Sequence, residues 1–485
     1  MFKQISLLAN KSIFGLMMFL LVFIPLYPKF PFLNVGGTYV AIRLEDIFIA
    51  LTVSIWLLVN VRKLRSYFHQ TIFQAFIIFW FIGGLSLFSG IFITQSLQPH
   101  LGFLHWFRRV EYMSLFLVAS TSIYSVKQSK LIIGALLITL FVVVLYGFGQ
   151  MWLNFPVVST TNSEFAKGQI LFLSNDARVN STFAGHYDLA VYLSIVLMVT
   201  ASFFFYYRSL LHKTWLALLG IGSFALLGFT AARVSFVATL LGLALLFWLK
   251  GKKLLVVGLF IVALGLVAVI PDLRHRLVAT FTVNVLNGGG PKYTPPAGTI
   301  TEFTPLSQLP EGMTSEERKQ AIRENNRLIS SSGVSADTAP GEPVNTTELG
   351  VYRSFGIRLN VEWPRAWRAF LKNPFLGTGY SSITIATDND YLRSLGETGL
   401  LGTASLGLIF FIILRRMAKF IKHSAGFNMP FALGVYCAVI VVGITATFID
   451  VLEASKIAEI FWLILGICWA VMSGYNLTSQ GGDES

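Results

Sequence analysis

The chain has 485 residues, of which 54% are hydrophobic and only 13% charged, about half the charged share of a soluble globular protein. With a mean hydropathy of +0.67, an ordinary water-soluble domain is excluded. The net charge of +13 invites a nucleic-acid partner, but its placement excludes one: the basic residues cluster between apolar runs, and the segment 271–390 is neutral, with 12 Lys+Arg against 12 Asp+Glu.

Apolar stretches of nearly 20 residues recur along the chain, each close to the length that crosses roughly 30 Å of hydrocarbon. In lipid the backbone must satisfy its own hydrogen bonds, so these runs are expected to be helices. The first follows Lys3 and Lys11 and resembles a signal peptide, but no small-x-small cleavage site follows and it reads as a retained helix. The expected spans are 13–27, 43–60, 71–94, 109–124, 131–153, 183–207, 214–230, 233–249, 254–270, 391–414, 428–449 and 456–474.

Basic clusters follow every second span: Arg62, Lys63 and Arg65; Lys127 and Lys130; Arg208 and Lys213; Lys250, Lys252 and Lys253; Arg415, Arg416, Lys419 and Lys422. This is the distribution of cytoplasmic loops, with the N-terminus inside. The sequence therefore reads as an all-α integral membrane protein of about 12 transmembrane helices, with a large extracytoplasmic segment before the last three. Its parts are 1–270 with nine spans, 271–390 outside, and 391–485 with three spans and a cytoplasmic tail. Within the outer segment, 314–330 has the capping-box spacing of an exposed helix. Residues 357–371 set Trp363, Trp367, Phe370 and Leu371 at helical spacing, as on a helix lying at the membrane surface. The turn between spans seven and eight is short enough to make them a tight antiparallel pair. Cys437 and Cys468 fall inside apolar helices as packing residues.

Ionisable residues at the outer boundary carry the chemical information, because charge there is costly. Arg233 follows one apolar run and precedes another; it either snorkels at the interface or binds an anion, since guanidinium matches phosphate oxygens in a fork. Arg108, Arg109 and Glu111 open the fourth span against the positive-inside trend, as an internal ion pair or as ligand contacts. Arg178 precedes Ser181 to His186 at the start of the sixth span. The densest constellation runs from Arg353, Arg358 and Trp363 through Asn373-Pro374-Phe375-Leu376-Gly377-Thr378-Gly379-Tyr380. It continues with Asp388-Asn389-Asp390-Tyr391-Leu392 and closes with Gly396-Glu397-Thr398-Gly399-Leu400-Leu401-Gly402. The glycines beside Thr378 permit a tight turn and would let amides approach an anion. Asp388 and Asp390 are either helix caps or functional carboxylates. No serine elbow, phosphate-binding Gly-rich loop or zinc-spaced Cys/His set is present. Arginines with carboxylates suit a pyrophosphate leaving group and an activated hydroxyl.

On these residues the chain resembles the O-antigen ligase and O-antigen polymerase superfamily of bacterial membrane glycosyltransferases. The resemblance is carried by 356–402, more weakly by Arg178 with the Ser-Thr-Phe-Ala-Gly after it and by Arg233, and by the topology. It implies a donor glycan linked to undecaprenyl pyrophosphate, a hydroxyl-bearing glycan, lipid or protein as acceptor, and action at the outer face of the bacterial cytoplasmic membrane among its lipids. No nucleotide sugar, metal or other cofactor is expected. Arg233 and Arg358 match arginines that hold the donor's pyrophosphate. Arg178, Arg353, Arg108, Arg109 and Tyr391 are the further substrate-binding candidates. The ligases carry a histidine eleven residues before a glycine; here that residue is Asp388, with Gly399 eleven residues on. A carboxylate can also accept a hydroxyl proton, and the departure shifts weight toward polymerases or another branch. The rivals are a transporter or flippase of an anionic lipid-linked glycan, and a non-catalytic scaffold for envelope assembly. Against a transporter stand the charges at the outer boundary and the lack of an internal repeat.

Overall fold

The structure, a computed structural model, describes residues 2–34, 41–123, 125–158, 170–171, 178–280, 282, 355–383 and 387–478. Arg353 and the expected helix at 314–330 lie outside the described residues. The chain is mostly helical: α1 (Phe2–Leu26), α2 (Leu44–Asn60), α3 (Leu64–Phe68), α4 (Thr71–Phe92), α5 (Pro99–Ser120), α6 (Val126–Trp152), α7 (His186–Phe204), α8 (Leu210–Phe229), α9 (Arg233–Leu249), α10 (Lys253–Val269), α11 (Pro271–Ala279), α12 (Trp363–Lys372), α13 (Asp390–His423), α14 (Asn428–Thr445) and α15 (Ser455–Thr478). Two small antiparallel ribbons, Pro31–Asn34 with Ala41–Arg43 and Val157–Val158 with Ile170–Leu171, sit in the connections.

Two compact units are present. The first joins 1–273 to 360–485; the second is 274–359. Seven of the described helices are long and apolar enough to cross a membrane, or eight if the bent pair Lys253–Val269 and Pro271–Ala279 is one span. The chain is a helical membrane protein. Two further apolar helices, Asn10–Leu26 and Arg233–Leu249, are shorter.

Helix α15 is the hub of the first unit. It packs along α5 and also contacts α1, α7, α13 and α14, and its candidate span Ser455–Ser473 is wholly buried inside the protein. A segment without lipid contact can carry polar residues at its ends, and Lys456 and Glu459 are both fully buried there. Helix α7 is a second inner helix, flanked by α8, α9 and α14. The turn between α8 and α9 is as short as its sequence implies, with Ala231 at φ +50. Yet α8 packs chiefly on α7, and α9 chiefly on α14 and then on α7, while the pair meets through Phe224 stacked on Phe236. Helix α5 begins at Pro99, about ten residues before the expected start, because Gln98 is extended and proline takes the first turn where no N–H is needed. Arg108 and Arg109 therefore stand inside a helix rather than at its opening.

The motif segment explains itself as packing. Helix α13 breaks at Gly399, whose φ of 66 and ψ of −167 are open essentially to glycine alone. The break frees carbonyls of the first half, and the preceding loop supplies the donors. Thr378 N–H donates to Gly396 O and Gly379 N–H to Glu397 O, both at 2.9 Å, while Leu400 N–H returns to Pro374 O at 2.8 Å. Gly377, at φ +68, lies so close to the Glu397 carbonyl that a Cβ has no room. The amides of Thr378 and Gly379 are thus spent inside the fold, and of the two uses of Gly-Thr-Gly the structure takes the tight turn. Asn373 pins the other end, donating to Ser89 Oγ at 2.8 Å and accepting from Leu376 N–H at 3.2 Å.

Replacing Gly399 with Ala forces a side chain into the backbone of Phe375 and into a forbidden conformation. The substitution is expected to cost at least about 2 kcal/mol. Thermal unfolding in detergent measures it; an unchanged midpoint would contradict the tight seam between the loop and α13.

Candidate functional site

The start of α13 and the loop between α14 and α15 hold each other through two aspartates. Asp450 accepts from the N–H of Thr387 at 2.8 Å and of Asn389 at 3.0 Å. In return Asp390 accepts from the N–H of Val451 at 2.8 Å and of Leu452 at 3.1 Å. Asp390 N–H also donates to Ala446 O at 2.9 Å, and the Asn389 side chain donates to Thr447 O at 3.1 Å. Backbone donors bonded to carboxylates are among the stronger hydrogen bonds of a protein, and here four of them lie between two loops.

The helix cap is neither aspartate. Asn389 caps α13, its side chain accepting from Leu392 N–H at 2.9 Å. Asp388 precedes the cap at φ +49, a left-handed conformation that Asp, Asn and His adopt more readily than other residues. Thr387, Asn389 and Asp390 are buried and Asp388 is half-buried.

Arg393, one turn into α13 and 3% exposed, ties the clasp to its surroundings. It donates to Asp450 at 2.8 Å and lies 3.4 Å from both Glu397 and Glu453. Arg109 of α5 pairs with Glu453 and donates to Leu452 O at 2.6 Å. Glu397 accepts from Ser381 N–H at 3.2 Å, which links the cluster to the motif loop. A small cavity beside the break is lined by Arg109, Tyr380, Asp390, Ser394, Glu397 and Thr398. Four carboxylates, Asp390, Glu397, Asp450 and Glu453, thus surround two guanidinium groups.

A second polar set lies along the same helix ends. Arg108 sits 3.7 Å from Asp46 and donates to Ala41 O at 3.3 Å. Arg43 donates to Ser455 Oγ at 2.7 Å, and Lys456 to Thr182 O at 2.9 Å. Lys29 lies 3.4 Å from Asp188; burial pushes its amine below the usual lysine range against the pull of that carboxylate. Glu45 and Glu459, both buried, accept no hydrogen bond among the described residues.

The sequence-predicted residues divide accordingly. Arg109 joins the cluster beside the Asp388 loop, Arg108 belongs to the second polar set, and for both the ion-pair reading is the one observed. Tyr391 is exposed and its hydroxyl donates to Gly443 O at 2.8 Å. Arg178 stands 2.7 Å from His186 Nε2, at the start of α7. Arg233 is the first residue of α9. Arg358 belongs to the second unit, in the wide turn Arg358–Glu362. Arg393, Glu453, Lys456 and Glu459 went unnoticed in the sequence, although charges at the start of an apolar run are the signal that marks them, and Asp450, in the loop before α15, carries no such signal. Among the described residues no group of three or more His, Cys, Asp or Glu could hold a metal ion.

Compared with known proteins, the chain matches no family model and no curated protein significantly.

Removing Arg393 leaves three carboxylates facing one another in a buried place. Arg393→Ala is expected to destabilise the protein by about 3 kcal/mol or more, and Arg393→Lys by less, because one ammonium cannot span the partners of a fork. Melting midpoints of the purified variants test this; equal midpoints for wild type and Arg393→Ala would remove Arg393 as the centre of the network.

Proposed function

We propose that this protein is an O-antigen ligase- or polymerase-like glycosyltransferase, moving a glycan from undecaprenyl pyrophosphate onto a hydroxyl acceptor at the outer face of the bacterial cytoplasmic membrane. The observation that carries the reading is Asp388, half-exposed in a left-handed conformation beside an arginine–carboxylate cluster, within the segment that resembles the family. In the reaction the acceptor oxygen bonds to the anomeric carbon and its proton passes to Asp388. The bond from that carbon to the pyrophosphate oxygen breaks, and the electron pair leaves with the pyrophosphate. The resemblance assigns the leaving charge to Arg233 and Arg358 and makes Arg178, Arg353, Arg108 and Arg109 further substrate-binding candidates, the last two bound in ion pairs.

The proposal includes 12 membrane spans with both termini in the cytoplasm. Supporting it, every expected span overlaps an observed helix, and the basic clusters all fall at the helix ends opposite the clasp. Reporter fusions after Arg65, Lys253 and Lys422 are expected to read cytoplasm and a fusion at Gly333 the outside; a cytoplasmic signal at Gly333 would overturn the arrangement.

The break at Gly399 favours one second reading. Discontinuous helices beside a polar cavity are a device of transporters, so a transporter or flippase of the same lipid-linked glycan is the alternative, with the same arginines on its anionic group.

Asp388→Asn keeps the left-handed backbone, which asparagine also tolerates, and removes the base. Transfer is expected to fall by about 10²–10⁴ with expression and donor binding retained. Asp388→His also fits the backbone and is expected to restore part of the rate, imidazole being a base near neutral pH. Equal rates for wild type and Asp388→Asn on one lipid-linked donor would eliminate Asp388. For the donor side, Arg233→Lys and Arg358→Lys are expected to impair transfer despite the retained charge; full activity in both would remove the pyrophosphate clamp.

A further inference from the structure

We infer that Asp450 is the positioning residue for Asp388, an inference that rests on reading Asp388 as the proton acceptor. Asp450 lies more than 60 residues away in sequence, in the loop between α14 and α15, and nothing in the local motif points to it. Yet the chain on either side of Asp388 is tied to the Asp450 carboxylate, Thr387 N–H on Oδ2 at 2.8 Å and Asn389 N–H on Oδ1 at 3.0 Å. The Asn389 bond holds the peptide plane that follows Asp388 and the Thr387 bond anchors the chain one peptide earlier, and between these two fixed points the direction in which the Asp388 Cβ leaves the backbone is constrained.

That control is needed because φ +49 is not where an L-residue settles unaided. Such a conformation persists only when the surroundings over-determine it. Asp450 supplies the determination and is itself held. Arg393 donates to Oδ2 at 2.8 Å, neutralising the carboxylate, and the next two amides of its own loop, Val451 and Leu452, are gripped by Asp390. With Oδ2 taken by two donors and Oδ1 by one, Asp450 is badly placed to receive a proton from substrate. Its role is to aim the residue that does.

Asparagine at 450 keeps one acceptor oxygen and turns an amide group toward the other N–H, so Asp450→Asn should release one side of Asp388 while preserving size. Two readouts are combined on purified protein in detergent. In the first, Asp388→Cys is alkylated with a polar thiol reagent; Cys437 and Cys468 are buried and stay silent. Adding Asp450→Asn is expected to speed that alkylation about tenfold, the scale of one hydrogen bond to a charged group. Cysteine at the exposed Ala425, in the turn after α13, should react at an unchanged rate. In the second, Asp450→Asn with native Asp388 should lower kcat at least about tenfold, as misplacement of a catalytic group does, with donor KM unchanged. Where Asp450→Asn accumulates poorly, Asp450→Glu carries the same comparison. An unchanged alkylation rate at 388, or an equal acceleration at 425, would overturn the positioning role. Faster alkylation at 388 together with full transfer by Asp388→Asn would leave the clasp standing and remove the proton-acceptor reading on which its purpose rests.

Discussion

One buried guanidinium, that of Arg393, is the condition on which the rest of this end of the protein depends. A carboxylate moved out of water is costly unless a partner and hydrogen bonds compensate it, and Asp450, Glu397 and Glu453 all lie within 3.4 Å of Arg393. Asp450 can bridge two loops because Arg393 neutralises it. Glu397 can stay buried in the last turn before the break, with its backbone carbonyl accepting from Gly379, because the same guanidinium faces it. The break at Gly399, the tight Gly-Thr-Gly loop and the left-handed Asp388 are three local strains held by one electrostatic centre and a net of backbone hydrogen bonds.

Under the proposed reaction this arrangement separates two chemical tasks. Around Arg393 the carboxylates outnumber the arginines, which the proposal gives to the acceptor hydroxyl and its proton. Cations for a departing anion have to come from elsewhere, and Arg233 and Arg178 stand at the starts of other helices. Helix α15 lets the charges exist at all. Its burial on every side keeps Lys456 and Glu459 away from lipid, so the polar layer is enclosed by protein.

Much of the helical plan was legible in the sequence, because an apolar run of membrane length has few structures available to it. The expected spans at 71–94, 131–153, 214–230 and 428–449 meet helices of nearly the same extent. The start of α5 differs because His100, His105, Arg108 and Arg109 interrupt the apolar pattern, and tertiary pairing with Asp46 and Glu453 is what makes the two arginines compatible with a continuous helix. The motif from Asn373 to Gly402 was recognised as dense in glycine and carboxylates, but its purpose was not. Whether Gly-Thr-Gly amides face an anion or the carbonyls of Gly396 and Glu397 depends on the break at Gly399, which no local rule announces. Asp450 was invisible for a different reason. A lone aspartate in a short loop has meaning only through the amides of Thr387 and Asn389, and those are brought to it by the packing of α13 on α14.

The central claim is that a glycan leaves its lipid pyrophosphate here, rather than crossing the membrane with it. The purified protein in liposomes, given a polyprenyl-pyrophosphate-linked glycan and a hydroxyl acceptor, separates the two outcomes when free polyprenyl pyrophosphate and glycosylated acceptor are quantified together. The account predicts that both appear in equal amounts and that Asp388→Asn suppresses both. Transbilayer movement of the intact donor, with no free polyprenyl pyrophosphate formed, would contradict it.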